Sequence, residues 1–170
     1  LAKGDSQSIL QAWKDQKYLR IRERRDNEHR LVKWARNVAE KHVCGQPPPP
    51  VPQDILSDLG GESAGVFVSV KKNGELRGCI GTVFATTPNV IEEIRANAIA
   101  AVSRDPRFLT VSTDELQELI YSVDILSAPE DASGPKDLDP KKYGVIVEDR
   151  GRRGLLLPDL PGVDTIEQQV

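Results

Sequence analysis

The chain has 170 residues, 38% of them hydrophobic and 29% charged, which suits one ordinary globular domain whose core needs no disulfide or structural metal. A formal net charge of −3 argues against a general nucleic-acid binder, which needs a basic surplus to neutralise phosphate. No apolar run approaches the length that crosses a bilayer, and Cys44 and Cys79 stand far apart with no C-x-x-C pattern, so a reducing, cytoplasmic setting is expected.

Leu1-Ala2-Lys3-Gly4-Asp5 lacks the apolar stretch of a leader. With no Met and a start at Leu, the sequence reads as a piece of a longer chain. Residues 1–30 form a charged helical extension with an imperfect apolar stripe at Ile9, Leu10, Trp13 and Tyr18. A second helix begins at Leu31. Leu31, Ala35, Val38 and His42, with Val32, Ala39 and Val43, mark its buried side, and Gly45 ends it. His42 is thus expected in the core or at its boundary. Pro47 to Pro52 read as a stiff spacer, and 54–59 as a short helical turn.

From Gly65 to Lys72 the pattern alternates as a strand, and Asn73-Gly74 signals a hairpin with a return strand from Glu75 to Val83. A two-residue turn would set Lys71 against Leu76 and Val70 against Arg77, mixing polar with apolar. A three-residue loop, Lys72-Asn73-Gly74 with Gly74 left-handed in a bulge, pairs Lys71 with Glu75 instead. That register is expected, with Val66, Val68, Val70, Leu76, Gly78 and Ile80 on one face and Phe67, Ser69, Arg77, Cys79 and Gly81 on the other. Thr87-Pro88 reads as a helix start, Glu92 and Glu93 suit its positive end, and the helix stops at Asp105-Pro106. Ser112 to Glu115 cap a further short helix. Strand 120–127 follows, with Tyr121, Val123 and Ile125 on one face. Val145 to Val147 and Leu155 to Leu157 flank a second hairpin around Arg150–Gly154. Thr165 and Gln168 have capping-box spacing, and the chain stops before that helix completes. Hairpins without strict strand–helix alternation imply an α+β fold: an antiparallel sheet with packed helices in one compact domain, with room for a smaller subdomain.

Leu76-Arg77-Gly78-Cys79-Ile80-Gly81 is the segment best suited to chemistry. A cation two residues from a thiol on a strand shares its face and favours the thiolate, and Gly78 and Gly81 leave room for a ligand or another backbone. Cys79, Arg77 and Asp124, a carboxylate in an otherwise apolar strand, are the catalytic candidates. Asp124 either faces solvent or pairs with a cation such as Arg77. Ser69, Arg77, Gly78, Cys79, Gly81, Asp105, Arg107 and Arg153 are the binding candidates. The plain alternative is structural: cysteine is often buried, strand glycines mark close packing, Asp105-Pro106-Arg107-Phe108 is a helix stop with an aromatic anchor, and basic hairpin tips such as Arg150–Arg153 are usually only solvated. With two His and two Cys in all, a four-ligand zinc site would need every one, so no metal and no cofactor are assigned. The glycines near Leu76 make no phosphate-binding loop, because no Lys-Ser/Thr follows them.

Leu76 to Gly81, Asp105 to Phe108, Tyr121 to Glu130, Leu138 to Gly144 and Gly151 to Thr165 together resemble the AMMECR domain family over residues 31–170. The resemblance implies an α+β fold continuing past Val170 through a helix and a strand. Leu109-Thr110-Val111 departs from a commonly proline-bearing pattern, a change expected to alter a loop and not the site. The resemblance brings no reaction with it. It implies an accessory or binding role beside Memo-like and radical-SAM proteins, whose iron–sulfur chemistry would be the partner's, since this chain has no three-cysteine motif. A thiol-dependent enzyme using Cys79 is the second reading, and a nucleic-acid module the third.

Overall fold

Helical spacing and capping build the first elements. The computed structural model describes residues 3–160 and 162–170, so Leu1, Ala2 and the Pro161 of the Gly151–Thr165 stretch lie outside the described residues. Helix α1 (Lys3–Asp26) is followed by α2 (Arg30–Val43), whose N-terminus His29 caps by accepting from the Leu31 N–H. Leu31, Trp34, Ala35, Val38 and Ala39 are the buried face of α2, and His42 is exposed, which corrects the sequence expectation. Gly45 leaves α2 at a left-handed φ of 66°. Helix α3 (Gln53–Leu59) plugs Ile55 into the core.

Strands β1 (Val66–Lys72), β2 (Glu75–Gly81) and β3 (Leu119–Ile125) form an antiparallel sheet in the order β2-β1-β3. The expected hairpin register is overturned. Asn73 and Gly74 have φ of 56° and 88°, a two-residue turn whose twist matches the strands, and Lys72 faces Glu75. Lys71 faces Leu76, but Val70 faces Gly78, leaving Arg77 as the extra residue of a β-bulge. The bulge reconciles the turn with the apolar pattern. Beyond it Val66, Val68, Val70, Gly78 and Ile80 share the core face, whereas Leu76, opposite Lys71, leaves that face and is largely exposed.

Helix α4 (Val90–Ser103) crosses the core face with α2 beside it. Its cap is Asn89, which accepts from the Glu92 N–H, and not Thr87; the Thr87 hydroxyl donates to Glu93 at 2.8 Å, with the Asn89 carbonyl 3.0 Å away. Ala98 and Ala101 keep α4 slim where it meets the sheet, and Val66, Val68, Val70, Ile94, Val102, Leu119 and Tyr121 close the core around them. A short 3-10 helix, Thr113–Glu118, carries the Ser112–Glu115 capping box and leads into β3.

Contacts divide the chain into two compact units, Leu1–Ala128 and Pro129–Val170. The second contains strands β4 (Val145–Asp149) and β5 (Arg152–Leu156), paired around a left-handed Arg150-Gly151 turn, and helix α5 (Ile166–Gln169), which carries the Thr165–Gln168 capping box. The fold is α+β. No helix among the described residues is long and apolar enough to cross a membrane.

Candidate functional site

The bulge decides where Arg77 goes. It leaves the row of Cys79 and reaches along the sheet edge to Glu115, with Nη2 at 2.8 Å from Oε1 and Nε at 3.0 Å from Oε2, and it donates further to the Leu109 carbonyl at 2.8 Å. Lys72 Nζ lies 3.0 Å from the same Glu115 carboxylate. The guanidinium of Arg77, then Lys72, hold the Glu115 carboxyl down at about 2. Arg77 is therefore bound to an acid and to the 109–110 loop, where the departure from the family's proline pattern was expected to alter a loop and not the site. It does not serve as the cation beside the thiol.

β2 is an edge strand, whose outward N–H and C=O groups need partners. Asp105 and Arg107 supply them at Cys79. Asp105 Oδ2 accepts the Cys79 N–H at 2.8 Å, and Arg107 Nη2 donates to the Cys79 carbonyl at 3.0 Å. The two clamp residues also bind each other, Nη2 to Oδ2 at 2.7 Å. This two-sided contact copies the pairing a neighbouring strand would give, and it turns a helix stop into a closed sheet edge. Hydrogen bonds from the Arg107 side chain outweigh burial and hold the Asp105 carboxyl well below the usual carboxylate range. Asp105→Ala should destabilise the chain by about 3 kcal/mol in urea unfolding at neutral pH, because it orphans the Cys79 N–H and unpairs Arg107. Arg107→Ala should also cost about 2 kcal/mol, because the Asp105 side chain, 2% exposed, would lose the guanidinium that holds its charge.

The Cys79 side chain lies on the sheet face away from α4, with the Ser69 hydroxyl 3.2 Å from its sulfur. Ser122 continues this cross-strand row, and Asp124 lies one row on, opposite Phe67. Asp124 is on the exposed end of β3 and makes no pair with Arg77. Gly78 and Gly81 are both filled: a Cβ on Gly78 would stand 2.1 Å from the Ala101 carbonyl oxygen, and one on Gly81 2.2 Å from the Phe67 ring. Arg153 is in the second unit, on β5, where its Nε lies 2.8 Å from Glu148 Oε1. The sequence candidates thus separate into the Arg77–Glu115 bridge, the Cys79 edge clamp, the outer-face row of Ser69 and Cys79, Asp124 one row on, and the Arg153–Glu148 pair of the second unit.

Two acids escaped the sequence reading. Glu115 satisfied a capping box, so nothing signalled its reach to Arg77. Glu93 suited the dipole of α4, yet it is fully buried and accepts five hydrogen bonds from Thr82, Thr86 and Thr87, between 2.6 and 2.9 Å. No group of three or more His, Cys, Asp or Glu among the described residues could hold a metal ion.

Comparison with known proteins places this geometry among relatives. A family model described as AMMECR1 matches residues 32–169. A Thermotoga maritima protein is 51% identical over 148 residues, covering 84% of this chain and 83% of its own length. A Clostridium acetobutylicum protein is 48% identical over 140 residues, 82% of this chain but 30% of its own length. The crystal structure of an uncharacterized Pyrococcus horikoshii protein, PH0010, superposes with a TM-score of 0.68 at 33% identity, covering 77% of this chain and 68% of the other.

Proposed function

The chain belongs to the AMMECR1 family, and we propose that it works as a binding or accessory domain beside Memo-like and radical-SAM proteins, without a reaction of its own. One observation carries this reading: the charged groups around Leu76–Gly81 are already committed within the chain. Arg77 is held by Glu115, and Asp105 and Arg107 hold the Cys79 backbone and each other. What remains on the outer face is mixed, Phe67, Ser69, Lys71, Cys79, Ser122 and Asp124, which suits recognition better than acid–base work. Iron–sulfur chemistry would come from the radical-SAM partner. Affinity capture of purified Memo-like and radical-SAM proteins on the immobilised chain tests the reading. Retention that weakens on Asp124→Lys is the expected result, and no association in any redox or nucleotide state overturns it.

The thiol-enzyme reading has two observations in its favour, the Ser69 hydroxyl on the Cys79 sulfur and the Arg107 guanidinium beside it. Nucleophilic use also needs a base within reach, and the charged group beside that sulfur, the Arg107 guanidinium, is a fixed cation that cannot take the proton. Cys44 is exposed and Cys79 partly covered, so iodoacetamide should modify Cys44 several-fold faster in the folded chain, with the two rates converging in urea. Peptide mass mapping over a pH series reads both. A Cys79 that outpaces Cys44 at neutral pH would favour the enzyme.

A further inference from the structure

A cavity of about 320 Å³ lies away from Cys79, between α1, the Asn73-Gly74 turn and the start of β3. Its volume is at the low end of the roughly 300–1,000 Å³ range of small-molecule sites, too small for a dinucleotide and ample for a mononucleotide-sized molecule. Its walls are of two kinds. Trp13, Ile21 and Ile120 give an apolar side, with the Trp13 indole 60% exposed at the mouth. Lys17, Arg20 and Arg24 give a cationic side.

The cations are not equivalent. Lys17 is neutralised by Glu118, which also lines the cavity, and it sits 5.8 Å from the Trp13 ring centre. Arg25, next to Arg24 on α1, is spent on Glu40 and on the Leu116 and Leu119 carbonyls. Among the described residues, Arg20 and Arg24 have no such partner. One helical turn apart, they present two guanidinium groups side by side. A cavity that concentrates positive charge in a chain of net charge −3 is set against the overall sign of the molecule. Two guanidinium forks offer more donors than one planar carboxylate can accept, but they match the three oxygens of a phosphate monoester. An open indole beside them offers a stacking face.

We propose that this cavity binds a phosphate monoester carrying a planar ring, of the size of a nucleoside monophosphate, with the ring on Trp13 and the phosphate between Arg20 and Arg24. Most of the lining comes from α1, which lies outside residues 32–169 matched by the family model, so the site is a property of this chain's N-terminal helix and is independent of the role proposed above.

AMP, adenosine and inorganic phosphate are the probes. Trp13 is the exposed tryptophan and Trp34 is 3% exposed, so quenching of the solvent-exposed emission reports the site, with calorimetry as a second readout. AMP should bind at least about tenfold tighter than either adenosine or inorganic phosphate, a difference of about 1.4 kcal/mol, and its affinity should fall as salt rises. Arg20→Ala, Arg24→Ala and Trp13→Ala should each weaken AMP about tenfold or more, with unchanged circular dichroism, since all three side chains are exposed. Inorganic phosphate binding as tightly as AMP would overturn the ring's place in the site. AMP affinity indifferent to Arg20→Ala and Arg24→Ala, or no AMP binding at millimolar concentration, would overturn the proposal.

Discussion

Gly78→Ala should destabilise the chain by about 3 kcal/mol, at the upper end of what overpacking a core costs. The new Cβ would stand 2.1 Å from the Ala101 carbonyl oxygen, and that oxygen belongs to the backbone of α4. No rotamer change can relieve the contact; helix and sheet must separate. Two other glycines calibrate the result. At Gly154 a Cβ meets nothing within 4 Å, so Gly154→Ala should be nearly neutral. At Gly74 there is also open space, but φ is 88°, so Gly74→Ala should cost about 1 kcal/mol through backbone strain alone. Urea midpoints of the three variants check the ranking. If Gly78→Ala matched Gly154→Ala, the glycine would not be there for packing, and its reading as space for a ligand would revive.

The same glycine shows how far the sequence could be read. Alternation in Val66–Val70 and the Asn73-Gly74 signal were enough to find the hairpin and the core face of β1. They could not show the bulge, because the turn and the apolar pattern make contradictory demands, and only the three-dimensional pairing reveals that one extra residue satisfies both. Arg77 was placed with Cys79 on strand periodicity, and periodicity fails at a bulge. Glycine at 78 was legible as a close approach; that α4 makes the approach was not, since no local pattern encodes which distant backbone arrives. Asp105 and Arg107 were legible as a helix stop. Their grip on the Cys79 backbone joins positions 26 and 28 residues apart, and only folding reveals it. Helices read best, where capping and spacing act locally, although Thr87 and Asn89 compete for one cap and the losing hydroxyl goes to Glu93.

Glu93 should prove as costly to remove, and its loss should be read best in acid. Its carboxylate is fully buried between the end of β2 and the 86–87 segment ahead of α4. Burial alone would raise the carboxyl, but hydrogen bonds from Thr82, Thr87 and Thr86 prevail and bring it from 4.5 down to about 2. A carboxyl depressed by folding contributes stability that is present above its unfolded pKa and lost as pH falls through the folded one. The contribution is therefore whole above about pH 5, wanes below it and is gone near pH 2, and a shift of this size is worth about 3 kcal/mol. Glu93→Ala should cost about 3–4 kcal/mol at pH 7, since it strands the Thr86 and Thr87 N–H groups that share Oε2. Glu93→Gln keeps one oxygen for those N–H groups and turns its amide toward Thr82 and Thr86, whose hydroxyls can rotate to accept. It should cost about half as much as alanine at pH 7 and remove the acid-sensitive share between pH 5 and 2. Urea unfolding of the three proteins at pH 7 and pH 3 separates the two effects. A Glu93→Gln chain that lost stability in acid as steeply as the parent would assign that sensitivity to Asp105 and Glu115 instead, whose carboxyls are also held low, and would leave Glu93 a packing residue.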